Sequence, residues 1–220
     1  MQAGQTLVAS DGYEVALFPL VALYDYQDEL VGTHADTYNM DFHAYRWNGS
    51  NWVRQNNGPL YAPFTCKLVY AYPSGTSGGH GRIFQSTNLV HTPSGLRYVM
   101  FMVGHDPNPP YSTVGQVISQ GTLIYHTGTY GIATGDHVHM GCGSGTWQGW
   151  NTSMTTRPSG HQDFTNHIHI YDTFYVNDTT ILQGQGHNWQ TWTQPIPPTP
   201  TGETKFPWYI YFRKRRNLWK

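Results

Sequence analysis

The stretch Thr134-Gly135-Asp136-His137-Val138-His139-Met140 decides how the chain is read. Side chains alternate between faces along a strand, so His137 and His139 look into one cleft. That places a metal ligand and a proton-handling imidazole side by side.

The segments around this stretch are strand-like as well. Cys66 to Tyr72, Gly81 to Val90, Leu96 to Val103 and Ile118 to Tyr125 are separated by turn-rich connections, and the third ends at Gly104-His105-Asp106-Pro107. Met40, Phe42 and Ala44 alternate with Asp41, His43 and Tyr45. Asn48-Gly49 suggests a hairpin, Asn166 to Tyr171 and Thr173 to Val176 read as further strands, and Trp147 to Gly160 reads as loop. The glycine-rich Ser74 to Gly81 lacks a P-loop lysine and a following helical pattern, so it is read as a turn. No stretch keeps helical periodicity between caps. The expected fold is all-β, an antiparallel sheet or barrel-like core with long loops and little helix.

Composition agrees. Among 220 residues, 24 are glycine, 15% are aromatic and 11% are charged. Such a chain builds short strands joined by turns. The formal net charge of −1 gives no sign of a sequence-specific nucleic-acid binder. Arg213, Lys214, Arg215, Arg216 and Lys220 concentrate positive charge in a tail on a mildly acidic body. Cys66 and Cys142 form no redox or zinc pattern and are expected as buried free thiols. The N-terminus lacks the basic and apolar regions of a signal peptide, and Val15 to Tyr24, broken by Pro19, is too short to span a bilayer. Four segments are expected: a lead-in over 1–33 packed on the core, the main domain over 34–180, a Pro/Thr/Gln-rich linker over 181–205, and an aromatic-basic tail over 206–220.

A hydrolytic zinc centre takes about three protein ligands and keeps one position open. His34, Asp41 and His139 are candidates for that role, leaving His105 and His137 to handle protons or stabilise an oxyanion. His43, on the Asp41 face of its strand, reads as an exposed polar residue, with support of the site's ligands as the alternative; His80, His91, His126, His161 and His187 read as surface or turn residues, and His167-Ile168-His169 as a bordering pair. Tyr24 or Tyr26, shortly upstream of His34, is a candidate to reach the site and hold the oxyanion.

Five elements in this order resemble the lysostaphin-type (LytM-like) zinc metallo-endopeptidases, which cut peptide cross-links in bacterial peptidoglycan. They are His34…Asp41-Phe42, Tyr61-Ala62-Pro63-Phe64 before a strand, Val103-Gly104-His105, Gly115-Gln116…Gly121, and Thr134-Gly135-Asp136-His137-Val138-His139. The resemblance runs from His34 to Gly143. It implies that His34, Asp41 and His139 bind one Zn²⁺ and that His105 and His137 flank the attacking water. The family's usual His-x-x-x-Asp spacing would put the carboxylate at Tyr38. Asp41 is preferred because it sits in strand-like alternation, and Asp36 is the competitor.

The resemblance also implies peptidoglycan peptides as substrate. Taken with the scarce charge and abundant Gly, Asn, Thr and Tyr, it suggests a phage lysin, virion-associated or released at the bacterial cell wall. The tail would then contact virion proteins. A catalytically degenerate member of the same fold, serving as a structural or wall-docking part, is the alternative. A carbohydrate-binding β-module would suit the Trp and Tyr content but leaves the ordered histidines unexplained.

Overall fold

The computed structural model describes residues 1–73 and 80–194. Its main sheet has nine strands. In chain order they are β1 (Ala22–Gln27), β2 (Met40–Phe42), β3 (Cys66–Ala71), β4 (Arg82–Ser86), β5 (Val99–Gly104), β6 (Val117–Ile118), β7 (Val138–Ser144), β8 (His167–Ile168) and β9 (Thr180–Gln183). They lie side by side as β6-β3-β4-β5-β7-β2-β1-β9, with β8 paired to the far part of β7. Every pairing is antiparallel except that of β9 with β1. The expected all-β, antiparallel architecture is the observed one.

The apolar run at β5 is buried at all six residues, as its central place requires. Phe18, Phe42, Phe64, Phe84, Phe101 and Phe174 are fully buried. Several meet edge to face, such as Phe18 with Phe42 at 5.1 Å and Phe64 with Phe101 at 5.6 Å between ring centroids. Cys66 and Cys142 are buried free thiols, and burial raises both well above the ordinary thiol range, so neither is a nucleophile.

Some local readings change. Thr173 to Val176 is not a strand: a 3₁₀ turn spans Ile170–Asp172, and only Tyr175 makes a bridge, to Leu17. Phe174 and Val176 are buried, so their alternation reflects core contact without strand pairing. The loop expected over Trp147 to Gly160 contains a helix at Trp150–Ser153 and a strand at Met154–Thr156, which pairs with Gln162–Phe164 around a Pro158-Ser159-Gly160 turn. The stretch expected as a linker begins as part of β9, held parallel to β1. Beyond it, Trp189 packs on the core and Trp192 on Tyr175. The rest of that stretch, the 206–220 tail and most of the glycine-rich loop at 74–81 lie outside the described residues.

Leu23 and Asp25 share the core face of β1, and both are fully buried. Neither carboxylate oxygen of Asp25 has a hydrogen-bond partner among the described residues. Burial, reinforced by the negative charges of Asp28, Asp41 and Glu29, pushes the Asp25 pKa up to about 8. Without metal, the folded state thus holds a proton that the unfolded chain gives up near 3.8. The stability this proton contributes is complete below about pH 4 and is lost as pH rises through about 8. The slope is about 1.4 kcal/mol per pH unit, with each kcal/mol worth about 2–4 °C in a chain this long. In chelator-treated buffer, Asp25→Asn is expected to gain several degrees in Tm over wild type at pH 8 compared with pH 5. Equal differences at both pH values would show that Asp25 is already ionised in the fold.

Candidate active site

Strands β2 and β7 pair with His139 directly opposite Asp41, so the two side chains leave the sheet on one face as neighbours. His139 Nδ1 lies 3.0 Å from Asp41 Oδ1. His34 Nε2 approaches the same oxygen at 3.5 Å, and His137 Nε2 lies 3.5 Å from Asp41 Oδ2. Three imidazoles thus converge on one buried carboxylate. Burial alone would raise the pKa of Asp41. The hydrogen bond from His139 and the imidazoles of His139, His34 and His137 outweigh it and hold the carboxyl down at about 2. His34 is lowered to about 4 by burial and then by its neighbour His139, which keeps it neutral and able to ligate.

The loop between His34 and Asp41 explains their wide spacing. His34 closes a 3₁₀ turn over Gly32–His34, and its carbonyl accepts the Thr37 amide at 2.9 Å. Asp36 turns away and accepts the Ser159 amide at 2.9 Å and hydroxyl at 2.6 Å. Tyr38 stacks on His167 with ring centroids 3.5 Å apart. Asn39 Nδ2 donates to the Gln162 carbonyl at 2.7 Å. The extra residues are therefore fastened to the 154–164 hairpin and to β8, and the chain reaches β2 in time to deliver Asp41. Of the two acids considered from sequence, Asp41 is brought to His34 and His139, and Asp36 is bonded elsewhere.

His105 follows β5 directly, with φ at +85°, a left-handed conformation that a bulky side chain rarely adopts. A reciprocal pair holds it there. The Tyr130 amide donates to the His105 carbonyl at 3.0 Å, and His105 Nδ1 donates to the Tyr130 carbonyl at 2.9 Å. Gly128 must lack a side chain here, because a Cβ would stand 2.2 Å from the His105 carbonyl oxygen. His137 Nδ1 likewise donates to the Gly135 carbonyl at 2.7 Å. A carbonyl can only accept, so both rings carry a proton on Nδ1, and Nε2 is the nitrogen left for proton exchange. The two rings lie 4.6 Å apart, and His105 is 6.0 Å from His139. Burial, then the proximity of His139, lowers His105 to about 4.

Sequence reasoning missed His161. It stacks on His139 at 5.7 Å and meets His34 edge-on at 5.6 Å, and the three imidazoles offer nitrogens all within 4.8 Å of one another. Burial and His139 lower its pKa. The signal in the sequence was the Pro158-Ser159-Gly160 turn between short β-prone runs, which marks a hairpin with His161 at its return. His43, expected to be exposed, is buried; its Nδ1 donates to the Asp136 carbonyl at 2.8 Å and its ring packs on Tyr26 at 4.3 Å. Tyr26 also faces His137, with centroids 6.4 Å apart, whereas Tyr24 stacks on Tyr45. His126 pairs with buried Asp106 at 3.0 Å, and His91 with Asp11 at 2.9 Å. His169 Nδ1 pairs with Glu29 at 2.5 Å. None of these last three histidines joins the cluster around Asp41.

The donor set fits a divalent zinc-type cation. It combines an ionised carboxylate with imidazole nitrogens converging on the same oxygen, and further imidazoles stand beside them. His34 and His139 belong to two possible ligand triads, completed by Asp41 or by His161. Asp41 is the stronger third member because it is more buried and brings the negative charge that a dication needs.

No protein-family model matches the chain. It is 29% identical over 184 residues to Morphogenesis protein 1 of Bacillus phage B103, a match covering 83% of this chain and 46% of the relative, so the chain spans about half the length of that protein. Among solved structures, the catalytic domain of the antimicrobial peptidase lysostaphin from Staphylococcus simulans is similar at 19% identity and a TM-score of 0.40, covering 57% of this chain and 80% of that one. A variant of the catalytic domain of the prophage-encoded M23 protein EnpA from Enterococcus faecalis is similar at 15% identity and a TM-score of 0.42, covering 67% and 87%. The chain is thus similar in sequence to a phage morphogenesis protein and resembles lysostaphin-type peptidases among solved structures.

Proposed function

We propose that the chain is a zinc-dependent endopeptidase that hydrolyses peptide cross-links of bacterial peptidoglycan, in the service of a phage particle. The observation that carries this reading is the convergence of His34 Nε2 and His139 Nδ1 on Asp41 Oδ1, with His137 and His105 at its side. His34, Asp41 and His139 would hold one Zn²⁺. Zinc, when bound, acidifies water toward neutral pH and polarises a carbonyl.

The protein's own groups do the rest. Asp41 supplies the charge that fixes the cation. His105 and His137 are each oriented by a backbone carbonyl at Nδ1; one would take the proton of the attacking water at Nε2, and the other, carrying a proton taken up from solvent, would donate to the developing oxyanion. His161 packs against His139 and His34, and Tyr26 against His137. The phage setting is supported by the likeness to the phage B103 protein, and the peptidoglycan substrate by the lysostaphin-type motif order. Virion proteins are proposed as partners of the tail at 206–220, on its aromatic and basic sequence alone.

Release of peptide fragments from purified peptidoglycan is expected to stop on treatment with a chelator and to return on addition of Zn²⁺. Hydrolysis indifferent to chelator would remove the metal from the mechanism. A protein with no hydrolysis at any zinc concentration would instead be the inactive, wall-docking form of the fold.

A further inference from the structure

On the other face of β1 from the active site lies a second constellation, made by Asp25, Asp28 and His187. Tyr24 and Tyr26 point toward His43, so strand alternation sends Asp25 to the opposite side, beside Leu23. Each of the three residues offers a ligand atom, and these atoms lie within 4.8 Å of one another. Asp25 is fully buried, and neither of its oxygens has a partner among the described residues, yet one of them is aimed into this group. An unpartnered buried carboxylate is costly unless something satisfies it.

The other two residues are held in place. Asp28 Oδ1 accepts the Glu29 amide and lies 2.8 Å from His187 Nε2. The His187 ring stacks on Tyr171 at 4.2 Å and 15°, and its amide donates to the Gly184 carbonyl at 3.0 Å. Gln185 Nε2 reaches the Asp25 carbonyl at 3.3 Å, which ties the same turn to β1. Asp28 and His187 keep about a fifth of their side-chain surface exposed, which leaves a way in from solvent.

We propose that Asp25, Asp28 and His187 form a second divalent-cation site, structural in role, which clamps the 184–189 turn to β1. Two carboxylates and one imidazole suit Zn²⁺ or Mn²⁺ better than the softer thiolate-seeking metals. A bound dication would compete with protons for the two carboxylates and the imidazole, so affinity falls with acidification. The site shares no ligand with the hydrolytic centre, so the two are tested by separate substitutions.

The test is metal stoichiometry by equilibrium dialysis of chelator-treated full chain against Zn²⁺, repeated with Mn²⁺, and the zinc-induced rise in Tm as a second reading. Wild type is expected to hold two equivalents of Zn²⁺. His139→Ala and His187→Ala are each expected to hold one, and the double variant none. His187 lies in a partly exposed turn, and circular dichroism checks that its variant folds; Asp28→Asn provides the same deletion with little change of shape. If His187→Ala and Asp28→Asn bind as much zinc and manganese as wild type, with the same rise in Tm, the second site does not exist. A single equivalent lost only in His139→Ala also overturns it, while leaving the hydrolytic centre intact. A single equivalent lost only in His187→Ala supports the second site and refutes zinc binding at His139.

Discussion

Asp41→Asn is expected to strip the active centre of zinc and to lower peptidoglycan hydrolysis by ~10³-fold or more, while Asp36→Asn leaves both unchanged. The contrast follows from what each carboxylate touches. Asp41 is buried and faces His139, His34 and His137, and the imidazoles keep it ionised far into acid. Asp36 is bonded to Ser159 at the hairpin turn and faces none of the three. An amide keeps the shape of Asp41 and can still accept from His139 Nδ1, so the sheet should persist. What it loses is the charge. A metal acting as Lewis acid supplies several kcal/mol of transition-state stabilisation, and each 1.4 kcal/mol is a factor of about ten in rate. Zinc content by atomic absorption and fragment release by mass spectrometry measure the two losses on the same sample. If Asp41→Asn keeps its zinc and Asp36→Asn loses it, the ligand assignment made across the long His34-to-Asp41 loop is reversed.

The meeting of Asp41 with His139 and His137 could be read because strand chemistry is local. The alternation around Met40-Asp41-Phe42 and His137-Val138-His139 fixes which residues share a face, and antiparallel pairing then sets His139 opposite Asp41. The apolar run ending at Gly104-His105 announced a buried strand with a histidine at its exit, and the fold places it so. What could not be read depends on distant pairing. His161 reaches the cluster only because the Met154–Thr156 hairpin is fastened to the His34-to-Asp41 loop through Asp36, Tyr38 and Asn39. The Pro158-Ser159-Gly160 turn marks the hairpin itself, but no local signal says where that hairpin docks. Asp28 and His187 lie at opposite ends of the described chain and meet because β9 returns parallel to β1. Parallel pairing carries no local turn signature. Phe174 and Val176 failed in the opposite sense: their alternation was real, but it recorded burial beneath the sheet.

Removing either proton-handling imidazole is expected to separate hydrolysis from metal binding. His137→Ala should retain its zinc and lose ~10²–10⁴-fold in turnover, the range typical of general acid–base groups. His105 calls for a different substitution. Its backbone sits at φ +85°, where alanine would be strained, so a loss in His105→Ala would mix chemistry with a distorted chain. Asn tolerates that conformation and cannot shuttle a proton, which makes His105→Asn the cleaner variant. It is expected to keep zinc and to fall by a similar factor. If the two rings divide a single proton transfer, as their 4.6 Å separation and matched Nδ1 anchors suggest, the double variant should be scarcely slower than either single one. Multiplicative losses would mean that the imidazoles act at separate steps. Loss of zinc in His137→Ala would make His137 a ligand, a role its Nε2 could fill at 3.5 Å from Asp41 Oδ2. The proton chemistry would then fall to His105, neutral above about pH 4 because burial and His139 keep it so.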